Sequence, residues 1–224
     1  MTSFAENGQP PAEAPAAALR GRAAEARSND DAVLNAAREV FVEQGFNAPM
    51  SAIAERAGVG VASIYRRYQS KEQLTLELRL RALHHVIDIA RRIADEPGDF
   101  AVQGFMQRHL AEAASPLATT FGKHVLRDPS VDAAAEELRQ ALEALIDLDR
   151  QRGLVPNDYN AGELMLAITH LRPSIPAERE RVVELGLRQL DHYLIGLKHS
   201  AKHPEAVRGK PLTWNEWVEF NSAD

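Results

Sequence analysis

Residues 51–73, SAIAERAGVGVASIYRRYQSKEQ, constrain this chain more than any other stretch. Ile53, Ala54 and Ala57 put small and apolar side chains on one face of a short helix. Gly58 falls where that helix must end with a positive φ, which glycine adopts without Cβ strain. Val59 follows and is expected to plug the angle between two helices. A second helix then interleaves Ala62, Ile64 and Tyr68 with Ser63, Tyr65, Arg66 and Arg67. Ile64 and Tyr68 are four apart, share a face and are predicted to point inward. Ser63, Arg66 and Arg67 fall largely on the other side. Helix, glycine turn and a second helix with a polar, cationic free face is the way a helix-turn-helix meets the DNA major groove. An isolated Arg-Arg pair would be read as a solvated surface. Here the glycine, the small-residue seam and the Tyr-Arg-Arg-Tyr run occur together at helix-turn-helix spacing, and phosphate and base contacts become the better account.

The run resembles the DNA-binding domain of TetR family transcriptional repressors. The similarity extends upstream through AAREVFVEQGFNAPMSAIAERAGV, where Ala37 and Phe41 match the family's first-helix core pair and Gly45 and Phe46 its glycine and aromatic end. Downstream, Ser70, Lys71 and Glu72 resemble the start of the family's fourth helix. The match covers roughly residues 30 to 80. It implies phosphate contacts from Tyr65 and Lys71, with Ser63 placed near the DNA backbone. It implies base reading shared among Val61, Ala62, Arg66 and Arg67, helped by Ser51. Gly60, Val61 and Ala62 stand where many members have Ser-Lys-Gly, which removes a lysine and offers an apolar surface suited to a thymine methyl. Arg66 and Arg67 thereby become the strongest candidates for guanine. Pro49 replaces a hydroxyl residue where the second helix begins, a place that tolerates a missing N–H.

A chain of 224 residues, 45% hydrophobic and 26% charged, can build a small DNA-binding domain and a larger helical one. Its net charge of −6 argues against a broadly basic coat but leaves room for a local patch. Arg20, Arg22, Arg27, Arg38, Arg56, Arg66, Arg67, Lys71, Arg79 and Arg81 lie in or beside the motif. Cysteine is absent, which excludes disulfides, thiol catalysis and thiolate metal sites and suits a cytoplasmic protein. No apolar run approaches the roughly 20 residues of a membrane span, and no signal core is present.

The expected organisation has four parts: a disordered leader over 1–27, the helix-turn-helix domain over 28–70, a helical ligand-binding and dimerisation domain over 71–200, and a tail over 201–224. Arg20, Arg22 and Arg27 in the leader are candidates for a minor-groove arm, with a solvated tail as the alternative. Ser28 or Asn29 caps a first helix running to about Gln44. Ser70 caps a long helix from Lys71 to about Asp95; Leu74, Leu76, Leu78 and Leu80 alternate as in a strand, but the helix formers around them decide for helix. Further helices are predicted near 99–114, 116–127, 130–152, 158–171 and 176–200, with breaks at proline and glycine. The fold class is all-α.

In the last two of these helices Leu164, Ile168, Val183, Leu187, Leu190 and Leu194 are candidates for a homodimer interface, because the resemblance implies a four-helix bundle between subunits. Packing within one chain is the alternative. Two recognition helices about 34–36 Å apart would read a pseudo-palindromic operator in double-stranded DNA. In the central helices Phe105, Met106, His109, Phe121, His124 and Val125 are candidates to line a pocket for an unidentified small-molecule effector. For each residue singly, an ordinary core position is the simpler account. Trp214, Trp217, Val218 and Phe220 could form a short amphipathic helix that docks on the helical domain or across the dimer. Phosphate-cradling loops, nucleophile elbows and His-Glu-x-x-His helices are all missing, so no enzyme, cofactor or metal is expected. His199 and His203 have i, i+4 spacing, but Pro204 puts the helix there in doubt. The resulting expectation is a ligand-responsive, homodimeric repressor. Two alternatives stand beside it: a DNA-binding regulator or architectural protein without a ligand, and a helical scaffold or enzyme in which the motif is incidental.

Overall fold

A computed structural model of the chain describes residues 30–112, 128–171 and 175–221. The leader with its three arginines, the proposed caps Ser28 and Asn29, and the helix expected near 116–127 lie outside these residues. Among the described residues every regular element is helical, so the predicted all-α class holds. The chain divides into two compact units, Met1–Gln69 and Ser70–Asp224.

The first unit contains α1 (30–44), α2 (Met50–Ala57) and α3 (Val61–Arg67). Ala37 and Phe41 are fully buried, and Phe41 stacks on Phe46 with ring centroids 5.7 Å apart. Gly45 (φ 78°) and Gly58 (φ 67°) both occupy the left-handed region that ends a helix at a glycine. At Gly58 the turn is closed by Gly58 N–H donating to the Glu55 carbonyl (3.1 Å) and Val59 N–H to that of Ala54 (3.0 Å). Pro49 stands at the N-cap of α2, one position before the helix proper.

The second unit contains α4 (Lys71–Asp95), α5 (Ala101–Glu112), α6 (Pro129–Gln151), α7 (Ala161–His170), α8 (Arg179–Lys202), a 3-10 turn (Pro204–Ala206) and α9 (Trp214–Asn221). Ser70 caps α4 as predicted, its hydroxyl accepting from Gln73 N–H at 3.2 Å. The alternating leucines are resolved by the helix: Leu74 and Leu78 are buried, Leu76 and Leu80 half-buried. α4 packs along α6, and Ile87, Phe105, Met106, Leu142, Leu145 and Ile146 are fully buried in the core that forms around them. Side chains distant in sequence complete two helix starts. The Asp149 carboxylate accepts from Ala101 N–H (3.0 Å) and Val102 N–H (2.7 Å), capping α5 from α6. Glu143 accepts from Ala161 N–H (2.9 Å) at the start of α7, beside that helix's own cap Asn160.

Helix α7 is enclosed by its own chain. The tail passes over its N-terminal end, where Leu212 N–H donates to Glu163 at 2.6 Å. Thr213 and Glu216 then form a reciprocal capping box that starts α9: Thr213 N–H reaches Glu216 at 2.9 Å and Glu216 N–H reaches the Thr213 hydroxyl at 3.3 Å. Trp217 is buried and stacks on Trp214 at 4.7 Å, docking the tail on the helical unit.

Most of the candidate dimer-interface residues pack within one chain. Leu164, Ile168, Leu190 and Leu194 are buried in the core of a single chain, and Val183 and Leu187 are half-buried. The large apolar side chain that α8 leaves exposed is Ile195, at 69%. Packing within one chain, the alternative reading of this stripe, accounts for its four buried residues.

Candidate nucleic-acid interface

The exposed surface of the first unit follows from two anchors. Ile64 and Tyr68 are buried, which fixes the rotation of α3. Every other residue of that helix then faces outward: Val61, Ala62, Ser63, Tyr65, Arg66 and Arg67 are all exposed, and Tyr65 half so. Ser51 is exposed in the first turn of α2. Gly60 precedes α3 in an extended conformation (φ −71°), and its carbonyl accepts from Ser63 N–H at 2.8 Å. The first turn of α3 therefore presents Val61 and Ala62, an apolar pair next to exposed hydroxyl and guanidinium groups. Such a surface can read a thymine methyl beside a guanine.

The two arginines differ. Arg66 makes one local hydrogen bond, Nη2 to the Ser63 hydroxyl at 3.0 Å. Arg67 is paired across the unit with Asp30 of α1, Nη2 to Oδ2 at 2.5 Å. This partner is not visible in the sequence. An acidic residue in the first turn of α1 reads as a helix-dipole device, and no local spacing reveals that α3 ends beside it.

Arg56 is engaged as well, with Glu43 (2.6 Å) and Glu39 (3.2 Å). The Glu43 hydrogen bond and then that of Glu39 hold its guanidinium more firmly protonated, and Arg56 in turn holds the Glu43 carboxyl below its usual range. Residues 30–69 carry four arginines and five carboxylates, so this unit has no cationic excess. The basic residues expected around the motif belong mostly to the leader and to α4.

Lys71 opens α4 in the second unit. Its carbonyl accepts from the Thr75 hydroxyl at 2.8 Å. Glu72, next in the chain, has its carboxyl held below the usual range by its own backbone N–H first and the Ser70 hydroxyl second. The Ser-Lys-Glu run is thus a helix start with an acid in its first turn.

Three of the six candidate pocket residues fall among the described ones. Phe105 and Met106 are fully buried and His109 nearly so, stacked on Phe105 at 5.7 Å. They are core. Phe121, His124 and Val125 lie outside the described residues. An open groove of about 640 Å³ runs along another face of α5, lined by Ile93 and Leu187 together with Gln107, Arg108, Glu112 and Asp191. Arg108 and Glu112 are paired at 2.6 Å in that lining. Apolar spacing in the sequence singles out the buried face of α5 and passes over this polar one. Among the described residues no group of three or more His, Cys, Asp or Glu side chains is placed to hold a metal ion, and no helix is long and apolar enough to cross a membrane.

Comparison with known proteins bears on this geometry. Residues 33–78 match a family model described as bacterial regulatory proteins, tetR family. A TetR transcription regulatory protein from Mycobacterium vanbaalenii is 27% identical, with a TM-score of 0.55 over 80% of this chain and 98% of that one. The TetR family transcriptional regulator PfmR from Thermus thermophilus shares the fold at 23% identity and a TM-score of 0.52, covering 70% of this chain and 97% of its own. A TetR transcriptional regulator from Streptomyces coelicolor does so at 23% and 0.51, over 75% and 97%. No curated protein matches the chain.

Proposed function

We propose, from the match of residues 33–78 to the tetR family model and the likeness to the Mycobacterium vanbaalenii regulator, that this chain is a TetR-type homodimeric repressor released from a pseudo-palindromic operator by a small molecule. One observation carries the DNA-binding part: Ile64 and Tyr68 are the buried side chains that anchor α3, and its other residues are exposed and chemically suited to a major groove. Arg66 is the principal base reader, with Val61 and Ala62 as apolar contacts. Ser63, Tyr65, Ser51 and Lys71 hold the DNA backbone. Arg67, tied to Asp30, contributes less than Arg66.

The ligand part rests on the family likeness, and the open groove beside α5, where Ile93 and Leu187 adjoin charged side chains, is the surface we assign to it. A ligand there changes DNA affinity only through its different affinity for the DNA-competent and incompetent states. α4 transmits the change, since it supplies Ile93 to the groove and begins at the proposed phosphate contact Lys71.

Footprinting on DNA flanking the protein's own gene locates the operator, and anisotropy on that site measures affinity. Arg66→Ala is expected to weaken binding by about 1–3 kcal/mol, roughly five- to 150-fold, with Arg67→Ala weaker in effect. Affinity should also fall as salt rises. Absence of any DNA binding at low salt would overturn the proposal. A site bound equally with and without every small molecule screened would retain the DNA-binding part and remove the ligand.

A further inference from the structure

We infer that the C-terminal end of α8 carries a binding site for a divalent transition-metal ion, built from the imidazoles of His199 and His203. The sequence leaves this pair in doubt because Pro204 follows it. In the structure the helical register continues through the cap: His203 N–H donates to the His199 carbonyl at 3.0 Å, and only then does Pro204, lacking an N–H, open the 3-10 turn. The two rings consequently lie one above the other, with centroids 4.5 Å apart and planes at 27°. Two imidazoles bound to one tetrahedral ion at about 2.0–2.1 Å place their nitrogens roughly 3.4 Å apart. Small side-chain rotations from the stacked arrangement reach that spacing, and both rings are exposed and free to make them.

Two further features favour a cation there. The site sits at the negative end of a 24-residue helix dipole. The Glu205 carboxylate lies 3.4 Å from His203 Nδ1. The carboxylate adds negative charge beside the imidazole pair and can orient the His203 ring as an outer-shell partner. Imidazole ligands select zinc, nickel or copper over magnesium or calcium. Water fills the remaining positions, so the site is open rather than closed. It stands where α8 gives way to the segment leading into the tail, and a bound ion would clip the last turn of α8 to the residue that ends it.

The test titrates Zn²⁺ into the full-length untagged protein and follows heat. The expected result is one ion per chain, weakened at least tenfold in both His199→Ala and His203→Ala. Glu205→Gln should weaken binding less than either. Lys202→Ala, in the same turn, should bind as the parent does, and far-UV circular dichroism should show all variants equally helical. No binding up to about 1 mM Zn²⁺ would overturn the inference. So would parental affinity in both histidine variants, which would move the ion to another histidine. Nothing in this test depends on DNA or on the effector.

Discussion

Asp149 is fully buried and accepts two backbone N–H groups from a helix 48 residues away in sequence. Those two donors have no intrahelical partner, and a buried donor left unpaired costs about 1–3 kcal/mol. Asp149→Asn supplies one carbonyl oxygen and turns an N–H toward the second donor. The variant should therefore lose about 1–3 kcal/mol in a urea melt. The pH dependence has a definite sign. Desolvation pushes the Asp149 carboxyl above its ordinary 3.8, against the pull of the Val102 and Ala101 amides and of Arg152 and Lys198. The folded chain then holds the proton more tightly than the unfolded one. This group's contribution is complete below pH 3.8 and is lost as pH rises through the raised value. The stability gap between parent and Asn variant should narrow as pH climbs from below 3.8 through that value toward neutrality. A gap that widened over that range would refute the assignment. Sequence alone showed none of this, because a carboxylate near the end of α6 reads as surface until α5 is placed against it. The pairing of Arg67 with Asp30 was hidden for the same reason. Gly58, Ser70, Ile64 and Tyr68, by contrast, were legible, since each acts within a few residues of itself.

At the level of elements, α7 and the tail form one assembly. A Cβ on Gly162 would lie 2.8 Å from the Leu212 carbonyl oxygen and 2.9 Å from Thr213 backbone atoms. The obstacle is backbone, so it can be relieved only by lifting the tail. Gly162→Ala gains up to about 1 kcal/mol in helix propensity and loses about 1–3 kcal/mol to overpacking, so a net loss of stability is expected in a thermal melt. In a chain shortened to residue 206 the same substitution should be neutral or stabilising. A loss of equal size in the shortened chain would show that the tail is not what Gly162 accommodates. The sequence permitted a docked tail because two tryptophans are poorly left in water. It could not say that α7 would be the helix covered, and so it offered α7 to a second subunit.

For the whole molecule, reading a pseudo-palindrome requires two copies of α3. A dimer must then use what one chain leaves exposed. On α8 the large apolar side chain left exposed is Ile195, while Leu190 and Leu194 are buried within the chain. Sedimentation should give about twice the 24.7 kDa of one chain. Ile195→Asp, which buries two new charges across a two-fold axis, should shift the mass toward that of a single chain and weaken operator binding with it. A parental dimer in that variant would place the interface on another face. The −6 charge of the chain and the balanced charge of residues 30–69 also set an electrostatic limit. Non-specific attraction to DNA from the described part of the first unit is weak, and binding should depend more on the matched site than on low salt.

The tail also makes the protein a selective optical probe of itself. Its two tryptophans, Trp214 and Trp217, are the only ones in the chain, and they stack on each other within the tail helix. Indole emission therefore reports this one element. A fluorescence transition that precedes loss of backbone ellipticity on heating is undocking of the tail, and it should be recorded as that and not as the unfolding of the protein.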